Sequence, residues 1–292
     1  MRSLGRHAAR ARRYRRARVF SDANDDDQAQ PGEETVRTGE GFLYDFISFP
    51  EAMDGGCTPT ALCSWDPGTP TSWRDNRDHA AVQAFWFANR FHDHLAAPPI
   101  GFDAASGAFE GPDKLVVHAN DGAATGEDGG PDPNHVGSAF MVSRPDGRSP
   151  LMALLLFKRR NITLATGASL VLPYRAVNAA DYAKVVYHEY THGMSNRLLR
   201  SASGFGALAS RQAFAIDEGL ADWYAADLVA REGHQPDDPS VEGEVDGGEY
   251  LDASHMSFAP SPPTAESAAP PPPVRARREL DPAVIRTVTS GG

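Results

Sequence analysis

Cysteine, long apolar runs and basic charge outside one short segment are all scarce in this 292-residue chain. No stretch of 18 consecutive apolar residues occurs, so the sequence predicts no transmembrane helix. Residues 1–20 carry eight Arg and no acidic side chain, and the remainder carries 20 basic and 39 acidic side chains. A body with a net charge of −19 argues against nucleic acid as the main partner. The Arg-rich start also lacks the apolar core of a secretory signal.

The two cysteines, Cys57 and Cys63, are separated by five residues in a segment that contains Gly, Thr and Pro. One interpretation is a disulfide that closes a small loop, which would suit an exported protein. The other is a pair of free thiols. No His or further Cys lies close enough in sequence to complete a zinc knuckle with them.

Apolar spacing predicts three helices and three strands. Apolar residues recur at helical intervals in residues 78–97, 181–199 and 211–231, and Pro98-Pro99 ends the first of these segments. Short apolar runs predict strands at residues 115–119, 138–142 and 151–157.

Composition marks two further segments that we expect to be unpacked. Residues 1–40 are charged and rich in turn formers, which predicts a leader that is disordered at least to Asp27. An arm that contacts nucleic acid or a membrane surface is the alternative for its basic start. Residues 256–292 form a predicted low-complexity tail, because Pro, Ala and Ser dominate residues 259–273.

The stretch that indicates chemistry is His188-Glu189-Tyr190-Thr191-His192. Residues i and i+4 share one face of a helix, so His188 and His192 can reach the same metal ion. Glu189 lies beside the first imidazole, where a carboxylate can act on a water molecule at the metal. A solvated helix face is the alternative, but it does not explain the acidic residues that follow on the next predicted helix.

Glu218 and Asp222 lie on that next helix. Glu218 is a natural third ligand, and Asp222, one turn later, is a natural acceptor for the ring N–H of a ligand His. Three protein ligands with one open position form the arrangement of a catalytic Zn²⁺ site. Zn²⁺ held in this way lowers the pKa of bound water, and Glu189 would take the water proton and pass it to a leaving amine.

Two neighbours of Glu218 have roles that the sequence leaves open or predicts only indirectly. Asp217 either accepts a hydrogen bond from a ligand His or faces solvent. Gly219 lies within the helix at a cost of roughly 1 kcal/mol. That cost makes sense if another backbone packs closely there, so we expect a close approach at Gly219.

The chain resembles the fungalysin family of secreted zinc metalloproteases, especially its bacterial members, within the wider thermolysin-like group. The resemblance covers about residues 42–250 and is carried by four matched stretches. They are residues 186–198 around the His motif, residues 218–224, Phe91-His92-Asp93-His94-Leu95 with Gly101-Phe102, and Pro145-Asp146-Gly147.

The resemblance implies an α+β fold, a thermolysin-like zincin with a mixed β-rich upper lobe, an active-site helix and an incomplete helical lower lobe. It implies a catalytic domain at residues 41–255, secretion, and hydrolysis of polypeptide substrates. An edge strand at Ser138-Ala139-Phe140 would bind the substrate as an added strand, with Ser138 and Ala139 as binding residues. We also expect a monomer.

Two departures from the family leave alternatives open. The family has a signal and a propeptide, and neither is found in this sequence. Its lower lobe also supplies a His that stabilises the tetrahedral intermediate, whereas only His234 and His255 follow Glu218 here. The alternatives to an endopeptidase are therefore a zinc-binding, catalytically weak remnant and a module that binds peptides without cutting them.

Two weaker metal candidates lie upstream. His92 and His94 are two residues apart, and such side chains point apart on a helix, which argues against a shared ion. The loop at residues 121–132 carries several carboxylates, which either bind Ca²⁺ or are simply solvated.

Overall fold

The structure is a computed structural model that describes residues 16–36, 38, 41–52, 56–58, 62–163, 166–202, 206–232 and 251. The predicted tail at residues 256–292 lies outside this part of the chain, as do residues 1–15, His234 and His255. Within the described ranges, no helix is long and apolar enough to cross a membrane.

A mixed β-sheet forms one layer of the fold. Its strands run in the order β1 (Ala17–Ser21), β2 (Leu115–Asp121), β4 (Leu151–Phe157) and β3 (Ala139–Val142). β1 and β2 pair in parallel, as do β2 and β4, whereas β3 pairs antiparallel with β4. Outside this path lie three short strands: β5 (Arg160–Thr163) and β6 (Ser169–Leu172), which form a hairpin, and β7 (Val177–Asn178), which pairs with β4.

The three strands predicted from apolar runs are confirmed as β2, β3 and β4, with ends that shift by at most two residues. β4 is buried along its whole length, as expected for a central strand with an uninterrupted apolar sequence. The prediction that the chain is disordered at least to Asp27 is wrong, because residues 17–21 form β1 beside β2. The stability of β1 comes from this pairing and from burial of Phe20, neither of which a local charge pattern reveals.

All three predicted helices are confirmed, as α1 (Arg77–Ala96), α2 (Ala183–Leu198) and α3 (Arg211–Arg231). The C-cap residue of α1, Ala97, is extended because a residue before a proline disfavours the helical region. The N-cap residue of α3 is Ser210, whose hydroxyl accepts a hydrogen bond from the backbone N–H of Ala213 at 3.2 Å. The expectation of an α+β fold is therefore confirmed at the level of its helices and strands.

An aromatic cluster fixes the rotation of α2 about its axis. Phe91 of α1 stacks on Tyr187 with ring centroids 4.7 Å apart, and Tyr190 meets Phe91 edge-on at 5.4 Å. Phe109 packs against the other side of Tyr190 at 5.0 Å. Tyr187 and Tyr190 are buried in the core, whereas the side chains of His188 and His192 are 21 and 15% exposed and lie at its rim.

Arg197 anchors the carboxyl end of α2. Its buried guanidinium donates to Asp113 Oδ2 at 3.0 Å and to Asp146 Oδ1 at 3.2 Å. It also donates to three backbone carbonyls, those of Gly107, Arg144 and Arg148. One side chain therefore ties α2 to two separate loops, and its planar fork of donors suits this task.

Cys57 and Cys63 form a disulfide, with Cα atoms 5.4 Å apart. The disulfide interpretation is therefore confirmed over the free-thiol alternative. Cys63 packs with Trp65 and Trp73 in a small apolar cluster that includes Leu156 of β4.

Candidate metal centre

Two imidazoles lie one helical turn apart on α2. The rings of His188 and His192 have centroids 4.7 Å apart and are nearly perpendicular. Their Nε2 atoms lie 3.1 Å from each other. The four-residue spacing thus brings both nitrogens to one point, as the sequence predicted.

α3 packs against α2 and brings a carboxylate to the same point. Glu218 Oε2 lies 3.2 Å from His188 Nε2, and Oε1 lies 3.7 Å from His192 Nε2. The three side chains are partly exposed, and their ligand atoms all lie within 4.8 Å of one another. The structure therefore assembles His188, His192 and Glu218 into one group that is open to solvent.

The outer nitrogens of both rings face carboxylates on α3. His188 Nδ1 lies 2.9 Å from Asp222 Oδ1, and His192 Nδ1 lies 3.0 Å from Asp217 Oδ2. A carboxylate at Nδ1 accepts the ring proton there, which leaves the lone pair of Nε2 directed inward. Asp222 therefore lies where the sequence placed it. Asp217 is only 5% exposed, so the solvent-facing alternative for it is wrong.

Sequence reasoning missed two residues that hold Asp217. The hydroxyl of Ser195 donates to Asp217 Oδ1, and Asn196 Nδ2 lies 3.5 Å from Oδ2. Both residues follow His192 by about one helical turn, so they share its face of α2. The sequence signal that could have identified Ser195 and Asn196 is their position within the stretch at residues 186–198 that matches the family.

Glu189 directly follows His188 on α2 and is not one of the converging ligands. Its side chain is 7% exposed, and burial raises its pKa to about 7, with a smaller upward effect from Glu218 and an opposing one from His188. Burial lowers the pKa of His188, but the carboxylates of Asp222, Glu189 and Glu218 outweigh it, so the net direction is upward. The pKa values of Glu189 and His188 therefore depend on the neighbouring charged groups of this site.

The three candidate ligands fit a tetrahedral ion. Two atoms bound about 2.0–2.1 Å from one Zn²⁺ at the tetrahedral angle lie roughly 3.3 Å apart. The two Nε2 atoms lie 3.1 Å apart, which is close to that value, and each has one oxygen of Glu218 nearby, Oε2 at 3.2 Å from His188 and Oε1 at 3.7 Å from His192. Two nitrogens and one carboxylate also form a donor set that zinc accepts.

β3 runs beside α2 at the edge of the sheet. The hydroxyl of Ser143, just after β3, donates to the carbonyl of His192 at 3.4 Å. A Cβ on Gly193 would contact Met141 of β3 and would lie 2.7 Å from Phe109 Cζ, so only glycine permits this approach. Ser138 and Ala139 lie at the start of this edge, close in sequence to the contact with α2.

The expected close approach at Gly219 is wrong. Among the described residues, nothing lies within 4 Å of the position that a Cβ would occupy. Gly219 is on the exposed side of α3, and its use there has no packing reason in this part of the chain.

The upstream pair His92 and His94 do not share a site. His92 is buried beside Arg16 and lies 3.4 Å from Glu110, whereas His94 Nε2 lies 3.3 Å from Asp227 on α3. The prediction that their side chains diverge is confirmed.

Comparison with known proteins gives the family. Extracellular metalloproteinase MEP of Pyricularia oryzae is 31% identical over 157 residues, which cover 51% of this chain and 21% of that protein. Extracellular metalloproteinase 2 of Trichophyton rubrum is 30% identical over 199 residues, which cover 63% of this chain and 27% of that protein. The chain thus spans about a quarter of the length of these relatives. A model of the fungalysin metallopeptidase family (M36) matches residues 47–253, more than two thirds of the chain, and the chain therefore belongs to that family.

Proposed function

We propose that this chain acts in a zinc-dependent endopeptidase that hydrolyses peptide bonds of extracellular proteins. The observation that carries the proposal is the convergence of His188 Nε2, His192 Nε2 and Glu218 at separations suited to one tetrahedral ion. The carboxylates behind both rings support it, because they hold the inner nitrogens in the form that binds a metal.

His188, His192 and Glu218 would hold the ion, with Asp222 and Asp217 fixing the two rings. When bound, Zn²⁺ supplies a Lewis acid that lowers the pKa of a water molecule and polarises a carbonyl. Two neutral imidazoles and one carboxylate leave the site with a net positive charge, which favours both effects. The remaining coordination position faces solvent, where a substrate can enter.

Glu189 is the proposed proton carrier. It takes a proton from the attacking water and delivers it to the amine that leaves when the peptide bond breaks. Glu189 is almost completely buried, and burial raises the pKa of its carboxylate to about 7. A pKa near neutrality suits a group that must first accept a proton and then release it.

Substrate recognition is assigned to the edge of β3. A peptide that adds as a strand beside Ser138 and Ala139 would lie next to α2, because Gly193 lets the strand and helix approach closely. This mode selects extended, flexible polypeptide. It also fits a thermolysin-like arrangement, in which residues 41–255 form the catalytic domain and the cleft lies between two lobes.

Secretion is part of the same proposal. The relatives are named as extracellular proteins, and a disulfide such as Cys57–Cys63 persists in an oxidising compartment.

The deciding experiment measures casein degradation by the full chain with added zinc, with and without a chelator. We expect cleavage that chelator abolishes and that zinc restores. His192→Ala serves as the inactive control, since it removes one of three ligands and should bind little zinc. A parent chain that binds zinc and peptide without cleaving casein would replace this proposal with that of a peptide-binding module.

A further inference from the structure

A second group of acidic residues lies at the carboxyl ends of β1 and β2. Asp22 directly follows β1, and Asp121 is the last residue of β2. His118 precedes Asp121 by three residues on the same strand. Because β1 and β2 run in parallel, their carboxyl ends meet at one edge of the sheet, which brings these residues together.

This group is buried far more deeply than the centre on α2. Asp22, His118 and Asp121 are 0, 1 and 2% exposed. His118 Nδ1 lies 3.0 Å from Asp22 Oδ2 and 3.4 Å from Asp121 Oδ1. Two buried carboxylates and one buried imidazole therefore lie within ion-pair distance of one another.

The loop after β1 folds back over the group. The two oxygens of Asp22 accept hydrogen bonds from the backbone N–H groups of Asp26 and Asp27, at 3.1 and 3.0 Å. This fold brings Asp27 Oδ1 to within 3.6 Å of His118 Nδ1. Ligand atoms of Asp22, Asp27 and His118 all lie within 4.8 Å of one another.

Asp121 and His118 carry buried polar atoms that have no hydrogen-bond partner in the part of the chain that the structure describes. Asp121 Oδ1 and both ring nitrogens of His118 have no partner with hydrogen-bond geometry among the described residues. Buried polar atoms are nearly always satisfied, so each such atom calls for an explanation. Asp121 Oδ1 and His118 Nδ1 face the shared volume, which indicates that something bound there would complete them.

The group also favours positive charge. Among the described residues, Asp22, Asp27 and Asp121 lie within ion-pair distance of His118 Nδ1 alone. No Arg or Lys in the described ranges lies close enough to neutralise them.

We propose that Asp22, Asp27 and His118 form a second metal site, which binds one Zn²⁺ with Asp121 alongside. A mixed set of imidazole and carboxylates suits a borderline ion such as Zn²⁺, whereas Ca²⁺ takes oxygen ligands only. The ion would link the loop after β1 to β2, and this link would help to hold β1 on the sheet.

The test uses Asp27→Asn, because Asp27 is 73% exposed and its removal does not disturb the core. Asn also tolerates the positive φ of 60° at this position. The matched control is Glu127→Gln, which removes one exposed carboxylate from the loop after β2. A His188→Ala/His192→Ala background lacks the centre on α2. Zinc content after gel filtration would be measured in the parent, in this background, and in the background carrying either Asp27→Asn or Glu127→Gln.

We expect two zinc ions per chain in the parent and one in the double His background. Asp27→Asn should weaken binding of the remaining ion at least tenfold and reduce the rise in Tm that zinc causes. Glu127→Gln should leave both quantities unchanged. A background protein that folds, by circular dichroism, but binds no zinc overturns the proposal. So does Ca²⁺ binding in place of Zn²⁺, or zinc retained equally by both variants. Because the background lacks the centre on α2, these outcomes do not depend on the proposed peptidase activity.

Discussion

His192 Nδ1 lies 3.0 Å from Asp217 Oδ2, and Asp217 is itself held by Ser195. This buried carboxylate directly precedes Glu218, the carboxylate that completes the group around the two Nε2 atoms. One turn of α3 therefore supplies both a candidate ligand and the residue that orients another ligand. Asp222, one turn later, does the same for His188.

Asp217→Ala should weaken zinc binding at the centre on α2 by roughly 10- to 100-fold, because the His192 ring loses the acceptor that orients it. Asp217→Asn keeps an oxygen acceptor and should recover part of that loss. Competition with a chromophoric chelator measures the affinity, in a chain that carries Asp27→Asn so that only one site is observed. Asp227→Asn changes the same helix away from the centre and should bind zinc like the parent; equal affinity for Asp217→Ala and the parent would remove the orienting role.

The sequence predicted α2 and α3, and helical spacing predicted that His188 and His192 share one face of α2. Glu218 was expected as the third ligand because it lies on the next predicted helix. The sequence left Asp217 open, since its direction depends on the rotation of α3 against α2, and that rotation is set by packing. The cluster of Asp22 with His118 had no local signal. It depends on the pairing of β1 with β2, two strands far apart in sequence, and β1 itself was expected to be disordered.

Arg197→Ala should destabilise the fold by about 3–5 kcal/mol, because it leaves the buried carboxylate of Asp113 without its counter-charge. Arg197→Lys should recover only part of this loss, since an ammonium cannot reach two carboxylates and three carbonyls at once. Urea unfolding measures the change. Arg18→Ala breaks an exposed pair with Glu34 and should cost less than about 1 kcal/mol; similar losses for both alanine variants would contradict the anchoring role of Arg197.

Gly219→Ala should stabilise the chain by up to about 1 kcal/mol, because alanine favours the helix and nothing crowds its Cβ in the described structure. Gly193→Ala is the matched comparison on α2. Its Cβ would lie 2.7 Å from Phe109 Cζ, so it should destabilise the chain and displace β3. Thermal unfolding of both variants should give shifts of opposite sign; a destabilised Gly219→Ala would show that another segment packs on α3.

His135 should make stability depend on pH. Burial lowers its pKa, but Asp132 and Asp25 outweigh burial and raise it. Its folded pKa thus exceeds the value of about 6.5 in the unfolded chain, so its contribution is full below pH 6.5 and is lost as pH rises through the folded pKa. In chelator, His135→Gln should therefore lose more stability at pH 5.5 than at pH 9. His94, whose pKa burial lowers, should show the opposite trend on replacement; parallel curves for both variants would contradict the assignment.

Glu189→Gln should abolish most peptidase activity while the protein keeps its zinc. Glutamine preserves the size of the side chain and can still form hydrogen bonds, but it cannot accept the proton of the attacking water. General-base catalysis contributes about 10²- to 10⁴-fold, so the variant should lose at least that factor in kcat. Glu189 is not among the converging ligand atoms, so zinc content should match that of the parent. Loss of zinc in the variant would make Glu189 a structural support of the site, and full activity with zinc present would assign proton transfer to another residue.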